Sequence, residues 1–196
     1  MQVEPTQSWS RLVGLLGPAH DQARATARRL SRSPTDGDDL FHEALLRAYD
    51  RLPSLRDETA FRAWFYSILL SVHRNRTRSG FWKRFSSLEQ KRDLGFDPVG
   101  EDGVIREEER RRADRASRAL GSLPAVQRQA VILFELEGFT VEEIAVMQRV
   151  SVSAVKSRLA RGRERLRRHY ERCGLAPRSE SIEVRRSEPL SEGGTP

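Results

Sequence analysis

The chain has 196 residues, 37% apolar and 32% charged, with a formal net charge of +7. That length fits one compact domain or two small ones, and no apolar run approaches the ~20 residues needed to cross a bilayer. MQVEPTQSW lacks a basic stretch followed by an apolar one, which argues against a secretory signal, and the lone Cys173 excludes both an internal disulfide and a cysteine zinc site.

After a loose lead-in, helical spacing begins at Trp9: Leu12, Val13, Leu15 and Leu16, then Ala19, Ala23, Ala27 and Leu30. Gly14, Gly17 and Pro18 predict a bend or break near Gly17. Ser33 to Gly37 ends this pattern, and a second helix is predicted from about Asp36 to Leu52, apolar at Phe41, Ala44, Leu45, Ala48, Tyr49 and Leu52. Asp36, Asp38 and Asp39 stand at its start, where carboxylates favour the helix dipole. PSLRDE reads as a polar loop. A third helix follows from about Thr59 to Arg78, with an apolar band of Phe61, Trp64, Phe65, Ile68, Leu69 and Val72 that gives way to His73, Arg74, Asn75, Arg76 and Arg78.

Ser79-Gly80 opens a segment in which Phe81, Trp82 and Phe85 lie among Lys83 and Arg84. Aromatics between cations can stack on bases or pack on the preceding helix. GFDPVGEDG, residues 95–103, is the natural linker. A helix resumes near Val104, and Pro124 suits the first position of another that runs to Glu137 and stops at Gly138. Two short helices then meet at a tight turn around Gln148 to Ser151. The first is apolar at Val141, Ile144, Ala145 and Met147, the second at Val152, Val155, Leu159 and Leu166. Thr140 and Ser151 are placed as N-caps, and Glu143 completes a capping box with Thr140. From Gly174 the pattern disappears, and Pro, Gly, Ser and mixed charge predict a disordered tail. No stretch sustains strand alternation. The expectation is an all-α fold: helical domains at 9–79 and 104–173, a flexible linker at 80–103, a tail at 174–196, and a helix-turn-helix in the second domain.

The charge is uneven. Ile68 to Arg92 holds seven Lys/Arg against one acid, and Lys156 to Arg172 holds eight against two. Asp93 to Ala113 between them holds four against seven. Two basic stretches separated by an acidic one suggest two contacts with a polyanion. Enzymatic signals are missing: there is no Gly-rich phosphate loop, and His20, His42, His73 and His169 have no metal-ligand spacing. The three aspartates lack the glycine and distal glutamate of an EF-hand loop. No catalytic residue, metal or cofactor is expected.

DGDDLFHEALLRAYDRL followed by FRAWFYSILLSVHRNRTR resembles the second conserved region of bacterial sigma factors. ALGSLPAVQRQAVILFELEGFTVEEIAVMQRVSVSAVKSRLARGRERLRR resembles their fourth. The short stretch between the blocks is similar to that of the extracytoplasmic-function (ECF) group. The resemblance implies an initiation subunit, without enzymatic activity of its own, that brings core RNA polymerase to promoters and helps open the duplex, in a stress or signal response. It implies a cytoplasmic protein that meets core polymerase through the clamp coiled coil of the largest subunit and the flap, meets promoter DNA, and is held by an anti-sigma factor. Asp36, Asp38, Asp39, Leu40 and Glu43 match the core-docking positions. Leu55, Arg56, Asp57 and Glu58 match a loop that captures a flipped minus-10 base, and Ser71, Arg74, Asn75 and Arg78 follow on the next helix. Ser71 departs from the usual Asn. Lys156, Ser157, Ala160 and Arg161, with Arg158 beside them, match the minus-35 positions. Arg149 replaces a common turn glycine, and Gly162 stands where Ala is usual. Two rival readings share these residues: a helix-turn-helix regulator that acts without core polymerase, and a sigma-like protein–protein adaptor.

Overall fold

The computed structural model describes residues 5–31, 33–84 and 105–174, and every regular element among them is helical. The predicted linker and tail lie largely outside the described residues, as does Phe85 of the aromatic–basic cluster. No helix among the described residues is long and apolar enough to cross a membrane.

The first unit has four helices: α1 (Pro5–Leu16), α2 (His20–Leu30), α3 (Pro34–Arg51) and α4 (Phe61–Arg84). The bend predicted near Gly17 is a 3-10 turn, Gly17–Ala19. Helix α3 starts at Pro34, two residues before the predicted start, because Ser33 Oγ accepts from the Asp36 N–H at 3.1 Å and caps it. Gly37 therefore lies inside α3 rather than in a turn. A Cβ there would stand 2.4 Å from the Arg28 Cα, so glycine is what lets α3 cross α2 this closely. The buried face of α2 is small at Ala23, Thr26 and Ala27, which suits that crossing. Phe41, Phe65, Tyr66, Leu40 and Leu69 fill the centre of the unit, with Phe41 edge-on to Phe65 at 6.1 Å. Helix α4 continues through Ser79-Gly80 to Arg84, past the predicted stop. One glycine costs a helix only about 1 kcal/mol, too little to end a 24-residue element.

The second unit has α5 (Ile105–Gly121), α6 (Ala125–Val131), α7 (Val141–Gln148) and α8 (Val152–Arg172). Pro124 is the N-cap of α6, with ψ 142°, rather than its first helical residue. The single helix predicted up to Glu137 is α6 followed by a π turn, Ile132–Leu136. The turn is wider by one residue: the Glu137 N–H donates to Ile132 O at 3.1 Å, an i to i+5 bond. Gly138 then turns the chain at φ 70°.

Helices α7 and α8 form the predicted helix-turn-helix. Thr140 and Glu143 make the full capping box, and Ser151 Oγ caps α8 through the Ala154 N–H at 3.2 Å. The turn closes with the Arg149 N–H on Val146 O and the Val150 N–H on Ala145 O, at 3.1 and 3.0 Å. That is a Schellman motif. Its left-handed position, φ 55°, is filled by Arg149 rather than glycine. The two units share a continuous apolar core, in which α4 packs on α7 and α2 approaches α6.

Candidate nucleic-acid interface

Helix α8 presents one cationic face. Lys156 and Ala160 are a turn apart, as are Ser157 and Arg161, so the four share a side; Lys156, Ala160 and Arg161 are exposed and Ser157 is half-buried. The Arg161 guanidinium donates to Ser157 Oγ at 2.7 Å, which aligns both outward. Val155 and Leu159 occupy the opposite side and are buried. Gly162 joins them there: a Cβ would lie 2.8 Å from Val131 Cγ2, so the departure from Ala permits the close approach of α8 to α6.

Arg158 does not belong to that face. It reaches back to Gln148 Oε1 at 2.6 Å, and burial lowers its pKa. Gln148 also donates to Val126 O at 3.3 Å. Arg158 thus braces the helix-turn-helix internally. Several of the later arginines are also committed within the chain. Arg163 pairs with Glu135 at 2.6 Å and covers the Phe134 ring, while Arg167 and Arg168 hold Glu164 at 2.9 and 2.7 Å. Those two guanidiniums, Arg167 first, bring the Glu164 carboxyl down to about 2.

On α4, Ser71, Arg74, Asn75 and Arg78 stand at i, i+3, i+4 and i+7 and share one face. Asn75 is exposed, and Ser71 and Arg74 are half-buried; the Arg78 side chain lies outside the described residues. The preceding loop is built by its own polar groups. Asp57 accepts from the Thr59 N–H at 2.9 Å and from its hydroxyl at 2.6 Å, and these bonds lower its pKa. Glu58 accepts from Arg11 at 2.8 Å. Arg56 is exposed, whereas Leu55 is buried beneath the loop and supports it from inside.

The acidic start of α3 divides in the same way. Asp36 and Asp39 are exposed. Asp38 is turned inward, gripped by Arg24 and Arg28 in two bidentate pairs of 2.8 to 3.2 Å, and Arg28, then Arg24, hold its carboxyl well below the usual carboxylate range. Leu40 is core, and contributes to a docking surface only by seating the helix. Glu43 is bound by Arg76 and Arg47, each at 2.7 Å. Exposed Leu46 and His42 extend the same outer side of α3.

A second polar cluster escaped the sequence reading. The Glu137 side chain is wholly buried. It accepts from the Thr26 hydroxyl, from Tyr66 Oη at 2.6 Å and from Arg62 at 3.2 Å, and Arg62 also donates to the Glu137 carbonyl at 2.5 Å. Burial first, and the carboxylate second, push the Tyr66 phenol upward, so it stays a donor. Arg62 lies 4.1 Å over the Phe139 ring. The available signal was position: a carboxylate at a helix C-terminus opposes the helix dipole and calls for a partner elsewhere.

Comparison with known proteins places residues 17–82 in the family described as Sigma-70 region 2 and residues 113–166 in that described as Sigma-70, region 4. The chain is 32% identical over 149 residues to the ECF RNA polymerase sigma factor SigM of Mycobacterium tuberculosis, covering 76% of this chain and 71% of that one. It is 34% identical over 148 residues to ECF RNA polymerase sigma factor EcfG of Rhodopseudomonas palustris, covering 73% and 76%. Among solved structures, the sigma factor RpoE in complex with the anti-sigma factor NepR, from Bartonella quintana, matches with a TM-score of 0.61 at 25% identity, over 83% of this chain and 95% of that one. CnrH in complex with the cytosolic domain of CnrY shares the fold, with a TM-score of 0.59 at 22% identity over 86% and 95%.

Proposed function

The chain belongs to the ECF group of the sigma-70 family and is a sigma factor that directs RNA polymerase to promoters, and we propose that it divides promoter recognition between two separate faces. Residues 104–173 read duplex minus-35 DNA with the face of α8 that carries Lys156, Ser157, Ala160 and Arg161. Lys156 and Arg161 supply donors to guanine edges or phosphates, and Ala160 a methyl contact. Residues 9–79 capture single-stranded minus-10 DNA with Arg56, Asp57 and Glu58 of the loop and Ser71, Arg74, Asn75 and Arg78 of α4. The same unit docks on the clamp of core polymerase through the outer side of α3. There Asp36 and Asp39 are exposed carboxylates suited to a basic protein surface, and Leu46 is an exposed apolar spot beside them. The protein works in the cytoplasm, in a stress or signal response, and is restrained by an anti-sigma factor, as the RpoE–NepR relative suggests.

The observation that carries the minus-35 assignment is the partition of cations on α8: Lys156 and Arg161 face solvent while Arg158 is bonded to Gln148. Lys156→Ala with Arg161→Ala, bound to core, should lose about tenfold or more in protection of the minus-35 region, given ~1–3 kcal/mol for a good base contact, and keep its affinity for core. Arg158→Ala should instead lower the unfolding temperature. Full minus-35 protection by the double variant, or loss of its core binding, would contradict the assignment.

A further inference from the structure

A cavity of about 380 Å³ is bounded by the end of α2, by α5 and by the last turns of α8, apart from the residues assigned above to DNA and polymerase. Leu120, Val131, Leu136, Leu166 and Tyr170 make most of its wall apolar. Leu136 is 46% exposed, so water reaches that wall. The volume falls within the ~300–1,000 Å³ of pockets that hold a ligand. Two cations also line the cavity, and they differ. Arg28 is committed to Asp38 by a bidentate pair. Arg29 is half-buried and, among the described residues, makes no hydrogen bond or ion pair. A guanidinium carries five donors and keeps its charge. Half-buried against an apolar wall, it calls for an anion that brings apolar surface with it.

A segment of that chemistry starts a few residues away in this chain. Tyr170 lines the cavity, and α8 ends at Arg172. Residues 175–196 lie beyond the described residues, and they include Glu180-Ser181-Ile182-Glu183-Val184. Side chains alternate along an extended backbone, so 180, 182 and 184 share a side: one carboxylate and two β-branched apolar groups over about 13 Å. Residues 175–179 can span up to about 17 Å from Gly174, enough to bring Glu180 back over the last turns of α8. Leu190, the other large apolar residue past Leu175, follows Pro189 and has no such pattern around it. The tether also helps. At an effective concentration of order 1 mM, a contact with a dissociation constant of about 0.1 mM is filled roughly nine-tenths of the time.

We propose that residues 180–184 dock in this cavity, with the Glu180 carboxylate on the Arg29 guanidinium and Ile182 and Val184 against Leu120, Leu136 and Leu166. The docked segment covers Leu136 and supplies the counter-charge that Arg29 lacks. A tail too polar to fold alone can order on a surface that offers its partners.

The test uses the full-length chain with Cys173→Ser and a nitroxide on Ser181→Cys, and reads paramagnetic broadening of isotope-labelled methyl groups without polymerase or DNA. Leu120, Leu136 and Leu166 should broaden most, and Val146 on α7 least. The tether alone keeps the nitroxide near α8, so docking is read from its dependence on charge. Glu180→Lys lies beyond α8 and leaves the helices intact; Arg29→Ala removes the other partner. Loss of a charge-assisted bond weakens docking about tenfold or more. Occupancy should then fall from about nine-tenths to half or below, and the broadening by about twofold or more. Ile182→Ser with Val184→Ser should do the same through the apolar half, and Arg29→Glu with Glu180→Lys should restore the contact. Broadening that is unchanged by Glu180→Lys, or strongest on another surface, would overturn the proposal. A mixture of nitroxide-bearing chain and isotope-labelled chain without nitroxide should show no broadening. Broadening of the Leu136 and Leu166 methyls in that mixture would assign the cavity to a second copy and overturn docking within one chain.

Discussion

Gly162 and Arg149 show the presence and the absence of glycine with opposite consequences. Gly162 gives up about 1 kcal/mol of helix propensity relative to Ala, and gains a close contact of α8 with Val131 and Gln127. Val131 is β-branched and held to one main rotamer in a helix, so it cannot swing aside. Gly162→Ala should therefore destabilise the chain by about 1–2 kcal/mol by overpacking. Adding Val131→Ala should remove that penalty, with a coupling of about 1 kcal/mol or more in a double-mutant cycle followed by urea unfolding. Stabilisation by Gly162→Ala alone would mean that propensity outweighs packing there. At Arg149 the missing glycine is a cost instead: a left-handed residue with a Cβ loses about 1–2 kcal/mol, and the two Schellman bonds around it hold the turn regardless.

Helix α3 carries structure on one side and the proposed docking surface on the other, and its three aspartates separate the two. Asp38→Asn should lower stability by about 1–2 kcal/mol, since it breaks charge-assisted bidentate bonds at a partly buried site. The folded pKa is depressed, so this stabilisation is present above about pH 4, the unfolded value, and is lost as pH falls through the folded one. The gap between Asp38→Asn and the unsubstituted chain should close in acid unfolding. Asp36→Asn with Asp39→Asn should leave the unfolding temperature within a degree or two, because both are exposed, and weaken core binding in competition assays. Unchanged core affinity would remove the docking assignment. Spacing made the helices and the capping box legible in the sequence, and the family resemblance marked the four positions of the α8 face. Spacing could not sort the aspartates, because Arg24 and Arg28 reach Asp38 only through a crossing set by Gly37. Nor could it show that Arg158 turns inward, since Gln148 lies on another helix. The π turn was hidden for the same reason: the residue it delivers, Glu137, finds its partners more than 70 positions away.

Across the molecule, two family blocks make one packed body, with the faces proposed for duplex and single-stranded DNA kept apart and an acidic helix side left open. The pairing of blocks was readable from sequence; the contact between them was not, because its apolar and polar partners, Thr26, Arg62, His73, Gln129 and Glu137 among them, lie on elements far apart in the chain. In the proposed function these faces act together on core polymerase rather than on DNA alone. The direct measurement is run-off transcription with purified core on a genomic promoter library, with start sites mapped. Discrete starts that core alone ignores are expected, each preceded by shared minus-10 and minus-35 sequences, with loss of those starts on Lys156→Ala with Arg161→Ala. Sequence-specific duplex binding by the chain without core, and no new starts with it, would contradict the claim and leave an ordinary DNA-binding regulator.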